Sequence, residues 1–196
     1  MSPRPRKVSD DEVYAATYRA MQRLAPSELT LAEIGAEAGV TAGALAQRFG
    51  SKRELLLGLT RAHAASSGGF IQQLRAVHKS PLAAVRAYAE CMSGLAQSPG
   101  ALARSLAYLQ IDLADPDFRE QLAIQAKATR AGLTDLLNDA VTARELKRGT
   151  DVERLARTVE AIISGSLMTW AFYSEGAADR WIRDDVNAVL APYGRT

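Results

Sequence analysis

Hydrophobic residues recur at spacings of three and four along almost the whole chain, which is the period of an α-helix with one buried face. No stretch shows the strict alternation of apolar and polar residues that is typical of a half-buried strand. Capping residues, prolines and glycines divide the pattern into nine helical segments, three in the front part and six behind. The sequence therefore predicts an all-α protein.

The pattern over residues 30–55 predicts two short helices joined by a tight turn, with a third helix directly behind them. Gly39 stands at the end of the first helix, where a left-handed backbone conformation costs least for glycine. Thr41 can then cap the second helix. The positions that face inward are Leu31, Ile34, Ala38, Leu45 and Phe49. This pattern indicates a helix-turn-helix motif, which places its second helix in the major groove of DNA.

Capping signals also predict where the other helices begin and end. Ser80-Pro81, Ser98-Pro99 and Asp115-Pro116 each place a capping side chain before a proline that suits the first helical position. The helix after Asp115 is predicted to run to Gly149, and Thr150 with Glu153 is predicted to form the capping box of the next helix. Gly68 and Gly69 predict a kink or break in the helix that follows the motif.

The motif has the spacing T-x-x-x-I-x-x-x-A-G-V-T-x-G-x-L-x-x-x-F-x-S-K-x-x-L. Over about residues 9–60 this pattern resembles the DNA-binding domain of the TetR family of bacterial transcriptional repressors. The resemblance implies a three-helix helix-turn-helix DNA-binding domain, residues 1–55, followed by a six-helix ligand-binding and dimerisation domain, residues 56–196. One position departs from the family pattern, because Ala46 stands where members usually carry an aromatic residue.

Recognition of DNA is predicted for residues 41–48, whose small side chains let the backbone approach the base edges. Gln47 can pair with adenine, and Arg48 can pair with guanine or hold a phosphate. The hydroxyls of Thr30 and Thr41 suit phosphate oxygens at helix starts, and the resemblance assigns a phosphate contact to Lys52. The predicted DNA-binding residues are Thr30, Thr41, Ala42, Gly43, Ala44, Gln47, Arg48 and Lys52, with Arg4, Arg6 and Lys7 of the N-terminal arm.

The helix before the last is apolar on more than one side, which is typical of a helix buried on more than one face, and the last helix carries one apolar stripe. Two such helices can form a four-helix bundle with their symmetry mates, and a single short recognition helix rarely binds DNA tightly alone. A homodimer on a palindromic operator is therefore expected, with a wholly intramolecular core as the alternative. The predicted dimer interface consists of Val159, Ile162, Ile163, Ser166, Trp170, Trp181, Ile182, Val186 and Val189.

The resemblance also implies that the C-terminal helices enclose a pocket for a small-molecule effector whose occupancy moves the two recognition helices. Candidate pocket positions combine aromatic walls with a few polar groups. They are Tyr88, Cys91, Met92, Leu106, Tyr108, Gln110, Phe118, Leu122, Gln125, Trp170 and Tyr173. Each of these residues taken alone is better explained as plain core, and Cys91 is interpreted as a small buried hydrophobe. The sequence does not identify the effector.

The net charge does not indicate a nucleic-acid-binding protein, because the formal charge of the chain is only +2. DNA binding must therefore come from individually placed cations. A hydrophobic content of 47% is sufficient for a sizeable core. The single cysteine, the absence of a secretory signal and the absence of an apolar run of about 20 residues predict a soluble cytoplasmic protein without membrane spans.

Two other classes of function compete with DNA binding. An enzyme is not expected, since the chain has only two histidines, no HExxH motif and no glycine-rich phosphate loop, and no metal or cofactor is predicted. A helical adaptor that binds proteins and has lost DNA binding is the alternative, and Ala46 gives it some support. The sequence favours a ligand-responsive transcriptional regulator, a homodimeric repressor.

Overall fold

The computed structural model describes residues 8–194. The helices are α1 (Asp10–Arg23), α2 (Leu31–Ala38), α3 (Ala42–Phe49), α4 (Lys52–Val77), α5 (Pro81–Met92), α6 (Pro99–Ala114), α7 (Pro116–Thr142), α8 (Val152–Tyr173) and α9 (Ala178–Leu190). Two short 3₁₀ helices, Ser93–Ala96 and Ala191–Tyr193, follow α5 and α9. Residues 8–194 contain no β-strand, so the prediction of an all-α protein with nine α-helices is confirmed.

Local capping explains most of the helix starts. The Ser9 hydroxyl accepts the backbone N–H of Glu12 at 3.2 Å, and the Glu12 carboxylate accepts the N–H of Ser9 at 2.8 Å, which forms a capping box. The hydroxyls of Ser80 and Ser98 each accept a backbone N–H at 3.1 Å in the first turn of the helix that begins with the following proline. The predicted starts of these helices are therefore confirmed.

Three predicted details of the helix pattern are wrong. Helix α4 runs without a break through Gly68 and Gly69, because neither residue adopts a left-handed conformation. Helix α7 ends at Thr142 and not at Gly149, and a loop with Arg144 at a φ of 64° follows it. The cap of α8 is Asp151, whose carboxylate accepts the Arg154 N–H at 3.0 Å, since the Thr150 hydroxyl donates to the Lys147 carbonyl.

The chain divides into two compact units. The first unit consists of the described residues up to Ala62 together with Ala103–Arg119, and the second consists of His63–Leu102 and the described residues from Glu120 onward. Helices α4, α6 and α7 contribute residues to both units. The first unit thus contains a segment of α6 and α7 besides the helix-turn-helix, and the predicted boundary after residue 55 stays a prediction.

Each unit has its own apolar core. In the first unit, side chains from α1, α2, α3, α4 and α6 converge, and the buried members of this cluster are Val13, Ala20, Leu29, Ile34, Leu45, Leu55 and Tyr108. In the second unit, α8 packs along α9, and α5 packs against α9. A buried hydroxyl lies in that packing, since Ser166 of α8 donates to the Asp185 carboxylate of α9 at 2.6 Å.

Candidate nucleic-acid interface

The turn between α2 and α3 is set by two glycines. Gly39 ends α2 in the left-handed region with a φ of 71°, as the sequence predicts. Gly35 allows the turn to fold back tightly, since a Cβ at this position would lie 2.6 Å from the Val40 carbonyl oxygen and 3.3 Å from the Ala42 nitrogen. The two glycines therefore fix the direction in which α3 leaves α2.

Helix α3 has one anchored face and one exposed face. Its Thr41 cap accepts the Ala44 N–H at 3.1 Å, and Leu45 is only 1% exposed in the core of the first unit. The opposite face carries Thr41, Gly43, Ala44, Ala46, Gln47 and Arg48, all of which are exposed, while Ala42 is half-buried. These exposed positions include five of the predicted DNA-binding residues and form a continuous surface of mostly small side chains.

Helix α2 begins next to a capped, exposed threonine. The Thr30 hydroxyl accepts the backbone N–H of Glu33 at 3.1 Å, which leaves the remaining N–H groups of the first turn available to an anion. The same helix is held to α1 by Glu37, which accepts hydrogen bonds from Arg19 at 2.7 Å and from Arg23 at 2.6 Å. These hydrogen bonds, that from Arg19 first, lower the pKa of the Glu37 carboxyl. The sequence analysis did not predict these two contacts. Their signal in the sequence was the spacing of four positions between Arg19 and Arg23 on α1.

Arg48 lies at the end of the exposed surface, but its guanidinium is already engaged within the first unit. Its Nη1 donates to the Val8 carbonyl oxygen at 2.6 Å, and its Nη2 forms an ion pair with Asp10. The guanidinium carbon also lies 5.4 Å from the ring centroid of Phe49. The structure therefore joins α3 to the start of α1 through the residue that was predicted to read a base.

Lys52 lies at the first position of α4, and its ammonium group points into the protein. The Nζ atom donates to the Leu29 carbonyl at 2.7 Å and to the Pro26 carbonyl at 3.1 Å. Both carbonyls belong to the loop that connects α1 to α2, so Lys52 stabilises that loop. Arg4, Arg6 and Lys7, also predicted to bind DNA, lie outside the described residues.

A segment of α6 is fastened to α1 within the first unit. Arg104 donates from Nε to the Gln22 carbonyl at 2.9 Å, and the Tyr108 hydroxyl donates to the Leu24 carbonyl at 2.9 Å. Burial, followed by the charge of Glu28, raises the pKa of Tyr108 to about 12. Tyr108 was predicted to line a ligand pocket, and the structure instead places it in the core of the first unit.

The other predicted pocket residues are distributed over both units. Leu106, Gln110 and Phe118 belong to the first unit, and Tyr88, Cys91, Met92, Leu122, Gln125, Trp170 and Tyr173 to the second. Burial raises the pKa of the half-buried Tyr88, whose ring lies 6.4 Å from that of Phe70. Cys91 is exposed, so its interpretation as a buried hydrophobe is wrong. The ligand pocket itself stays a prediction.

Three surface grooves of the second unit are lined by residues outside the predicted pocket. The largest of the three, about 580 Å³, carries charges of both signs, from Arg130, Arg154 and Arg157 and from Asp135, Asp151 and Glu153. A groove of about 390 Å³ is lined mainly by the end of α7 and the turn between α4 and α5. A groove of about 310 Å³ is lined by residues of α9 and of the turn before it. Their mixed charge and open form do not resemble an apolar effector pocket.

The predicted dimer interface stays a prediction, and six of its nine residues are buried within the single chain. Val159, Ile163, Ser166, Trp170, Ile182 and Val186 are each at most 6% exposed within the single chain. These side chains form the core between α8 and α9 and have almost no surface left for a partner. Ile162, Trp181 and Val189 are half-buried. The opposite face of α8 is exposed instead, with Met168 41% exposed and Phe172 77% exposed.

Residues 8–194 lack two features that would indicate other functions. No helix in this range is both long enough and apolar enough to cross a membrane. The same part of the chain contains no group of three or more His, Cys, Asp or Glu residues that could hold a metal ion.

Two sequence models of protein families match the chain. The model described as bacterial regulatory proteins of the tetR family matches residues 13–59, which span α1 to the start of α4. The model of the tetracyclin repressor-like C-terminal domain matches residues 72–186, from the end of α4 into α9. No curated protein sequence matches the chain.

Solved structures share the fold over nearly the full length. A TetR transcription regulator from Haloarcula marismortui aligns with a TM-score of 0.74 and 18% identity over 95% of this chain and 98% of its own. NemR from E. coli, in its reduced form, gives 0.75 and 14% over 95% and 98%. FadR from Bacillus subtilis, solved with stearoyl-CoA, gives 0.70 and 16% over 93% and 98%. At such identities the similarity establishes the fold alone.

Proposed function

The chain belongs to the TetR family of bacterial regulatory proteins, and from this premise we propose that it is a sequence-specific DNA-binding transcriptional regulator. We propose further that it acts as a homodimeric repressor that a small molecule releases from a palindromic operator. The observation that carries the proposal is the exposed face of α3, with Gly43, Ala44 and Gln47 presented by an anchored helix. Neither matched family model describes an enzyme, and no catalytic role is proposed.

The chemistry of this face suits the major groove. Small side chains at Gly43 and Ala44 let the helix backbone approach the bases, and methyl groups can contact that of thymine. Gln47 is exposed, and its amide can donate to and accept from one adenine. The first turns of α2 and α3, capped by Thr30 and Thr41, offer backbone N–H groups to phosphates.

We place the dimer contact on the exposed face of α8 and not on the buried residues predicted from the sequence. Ala161, Gly165, Met168 and Phe172 repeat every three to four residues and are exposed, so they form one stripe along the helix. Apart from the neighbouring residues and backbone of α8 itself, no atom lies within 4 Å of the position that a Cβ on Gly165 would take, so a second helix can approach closely there. Two copies related by a two-fold axis would then present two α3 helices to a palindromic site.

The effector is proposed to bind the second unit and to favour a dimer in which the two α3 helices no longer match the operator spacing. Such a shift requires the ligand to bind the two states with different affinity. Stearoyl-CoA is the first probe, since a solved protein of the same fold holds it. Release of bound DNA by stearoyl-CoA, but not by coenzyme A or stearate alone, would support an acyl-CoA effector, and no release would restrict the proposal to DNA binding.

The test of the regulator is selection of duplexes from a randomised DNA pool, followed by anisotropy measurements over a salt series. We expect a two-fold symmetric sequence and an affinity that falls steeply with salt, with a slope of about −0.9 for each phosphate contacted. Gln47→Ala should lose discrimination at one base pair by about 1–3 kcal/mol. Gln73→Ala, an exposed glutamine of the second unit, is the matched control and should behave like the wild type.

The second candidate function is a helical protein-binding adaptor. It is favoured by Ala46, an exposed alanine on α3 at the position where the family usually has an aromatic residue. An adaptor would enrich no sequence from the pool and would bind any DNA only weakly. Its protein interface, being mainly apolar, would also lack the steep salt dependence of DNA binding.

A further inference from the structure

The Arg48 side chain connects the end of α3 to the start of α1 within the first unit. The Val8 carbonyl that it contacts precedes the Ser9 cap of α1 and therefore has no place in the hydrogen-bond ladder of that helix. Asp10, the partner of its Nη2, is the first residue of α1. One guanidinium thus binds a backbone carbonyl that lies just before α1 and the carboxylate of the first residue of α1.

Aromatic contacts surround this bridge on the protein side. The Phe49 ring lies 5.9 Å from the ring of Tyr14 on α1. The guanidinium carbon of Arg48 lies 5.4 Å from the centroid of the same Phe49 ring. Burial and the nearby Asp10 charge raise the pKa of Tyr14. The guanidinium is therefore positioned by an ion pair, a hydrogen bond and a ring, all provided by the chain itself.

A base-reading arginine needs two neighbouring N–H groups that point to the N7 and O6 atoms of guanine. Both terminal nitrogens of Arg48 already have acceptors in the protein. Turning the guanidinium toward a base would leave the Asp10 carboxylate without its cation, close to the negative charge of DNA. Gln47, the preceding residue, is also exposed and has none of these contacts among the described residues.

We propose that Arg48 is a positioning residue that clamps the end of α3 to the start of α1, and that base discrimination at this end of α3 belongs to Gln47. This inference rests on the proposed DNA binding and assigns a different role to the arginine. The clamp holds the exposed face of α3 at a fixed orientation relative to α1. Its loss therefore lowers the affinity for every DNA sequence by the same factor.

The first test needs no DNA and measures amide hydrogen exchange of residues 8–14 in the free protein. Arg48→Ala should speed exchange there by about two- to tenfold, the factor expected for one exposed ion pair and one hydrogen bond. Arg48→Lys keeps the charge but not the two-acceptor geometry and should show most of the same increase. Gln47→Ala is the matched control and should leave exchange of these amides unchanged.

The second test uses the duplex selected by the wild-type protein and its full set of single base-pair variants, at a temperature where all proteins are folded by circular dichroism. Arg48→Ala should weaken binding to all duplexes by a common factor and keep the order of preference, whereas Gln47→Ala should flatten preference at one base pair. Loss of preference for a guanine in Arg48→Ala, or unchanged exchange at residues 8–14, would overturn the clamp. A wild-type protein that selects no duplex would refute the proposed function, and the exchange data would still decide whether the clamp exists.

Discussion

Arg53 and Asp115 form a bidentate ion pair, although they are 62 positions apart in the sequence. Nε of Arg53 donates to Oδ2 of Asp115 at 2.9 Å, and Nη2 donates to Oδ1 at 2.8 Å. The same guanidinium reaches Asp117 at 2.6 Å and lies 5.6 Å from the Phe118 ring centroid. The start of α4, directly behind α3, is thereby fastened to the turn between α6 and α7 within the first unit.

These contacts predict that Arg53 stabilises the first unit and does not bind DNA. Arg53→Gln should lower the thermal midpoint, because Asp115 and Asp117 lose their shared cation. The slope of log affinity against log salt should stay within error of the wild type, whereas loss of a phosphate contact would reduce it by about 0.9. A reduced slope with unchanged stability would contradict this role.

The two carbonyls that Lys52 contacts predict a stabilising role for this lysine. Lys52→Met should destabilise the protein by about 1–3 kcal/mol, because the partly buried carbonyls of Pro26 and Leu29 lose their donor. Arg61→Met, a change of an exposed cation on the same helix, should cost less than about 0.5 kcal/mol. Chemical denaturation of both variants measures the difference, and equal stability of the two would argue against the structural role.

The half-buried Asp112 predicts a pH-dependent stability. Burial, followed by the charge of Asp115, raises the pKa of Asp112 from its usual 3.8 to about 6 in the folded protein. Its contribution to stability is therefore full below its unfolded pKa and is lost as the pH rises through about 6. Asp112→Asn should stabilise the protein at about pH 7.5 by about 1 kcal/mol, since solvent screening reduces the effect of the shift at this position.

The check on Asp112 is thermal unfolding of both proteins at several pH values. Most of the gain should have disappeared at about pH 4.5, where the folded wild type has taken up the proton. A gain that is equally large at both pH values would show that packing of the amide, and not ionisation, is the cause.

Two glycines of the helix-turn-helix predict opposite effects of the same substitution. Gly35→Ala should destabilise the protein by about 2 kcal/mol or more, because the new Cβ would meet the backbone oxygen of Val40 at 2.6 Å. Gly43→Ala should stabilise it by about 0.5–1 kcal/mol, since the nearest atom is 3.9 Å away and alanine favours the helix. Denaturant midpoints measure both, and a tolerated Gly35→Ala would mean that the turn can move.

The exposed face of α8 predicts which substitution separates a dimer. Phe172→Glu should shift the mass measured by sedimentation from dimer to monomer, because it buries a charge in an apolar contact. Val77→Glu on α4 is the matched control, as Val77 and Phe172 are both 77% exposed, and it should leave the mass unchanged. A monomeric wild type would refute the dimer, and a dimer that survives Phe172→Glu would place the contact elsewhere.

Local signals in the sequence were sufficient for the fold class, for most helix starts and for the exposed face of α3. A cap such as Ser9 acts on a residue three positions away, and the spacing of Ile34 and Leu45 determines which helix face is buried. Such interactions do not depend on distant parts of the chain, so a one-dimensional pattern contains them. The family resemblance, carried by the same stretch, is confirmed as well.

The tertiary structure alone decided how the long side chains and the apolar helices are used. Nothing in the sequence near Arg48, Lys52 or Arg53 indicates that Val8, Leu29 and Asp115 accept their hydrogen bonds, because those partners come from distant residues. Helix α8 is apolar on two sides, and only its packing against α9 selects which side forms the core and which stays exposed. The spacing within a helix specifies its faces, whereas the choice between two apolar faces is made by the helix that packs against one of them.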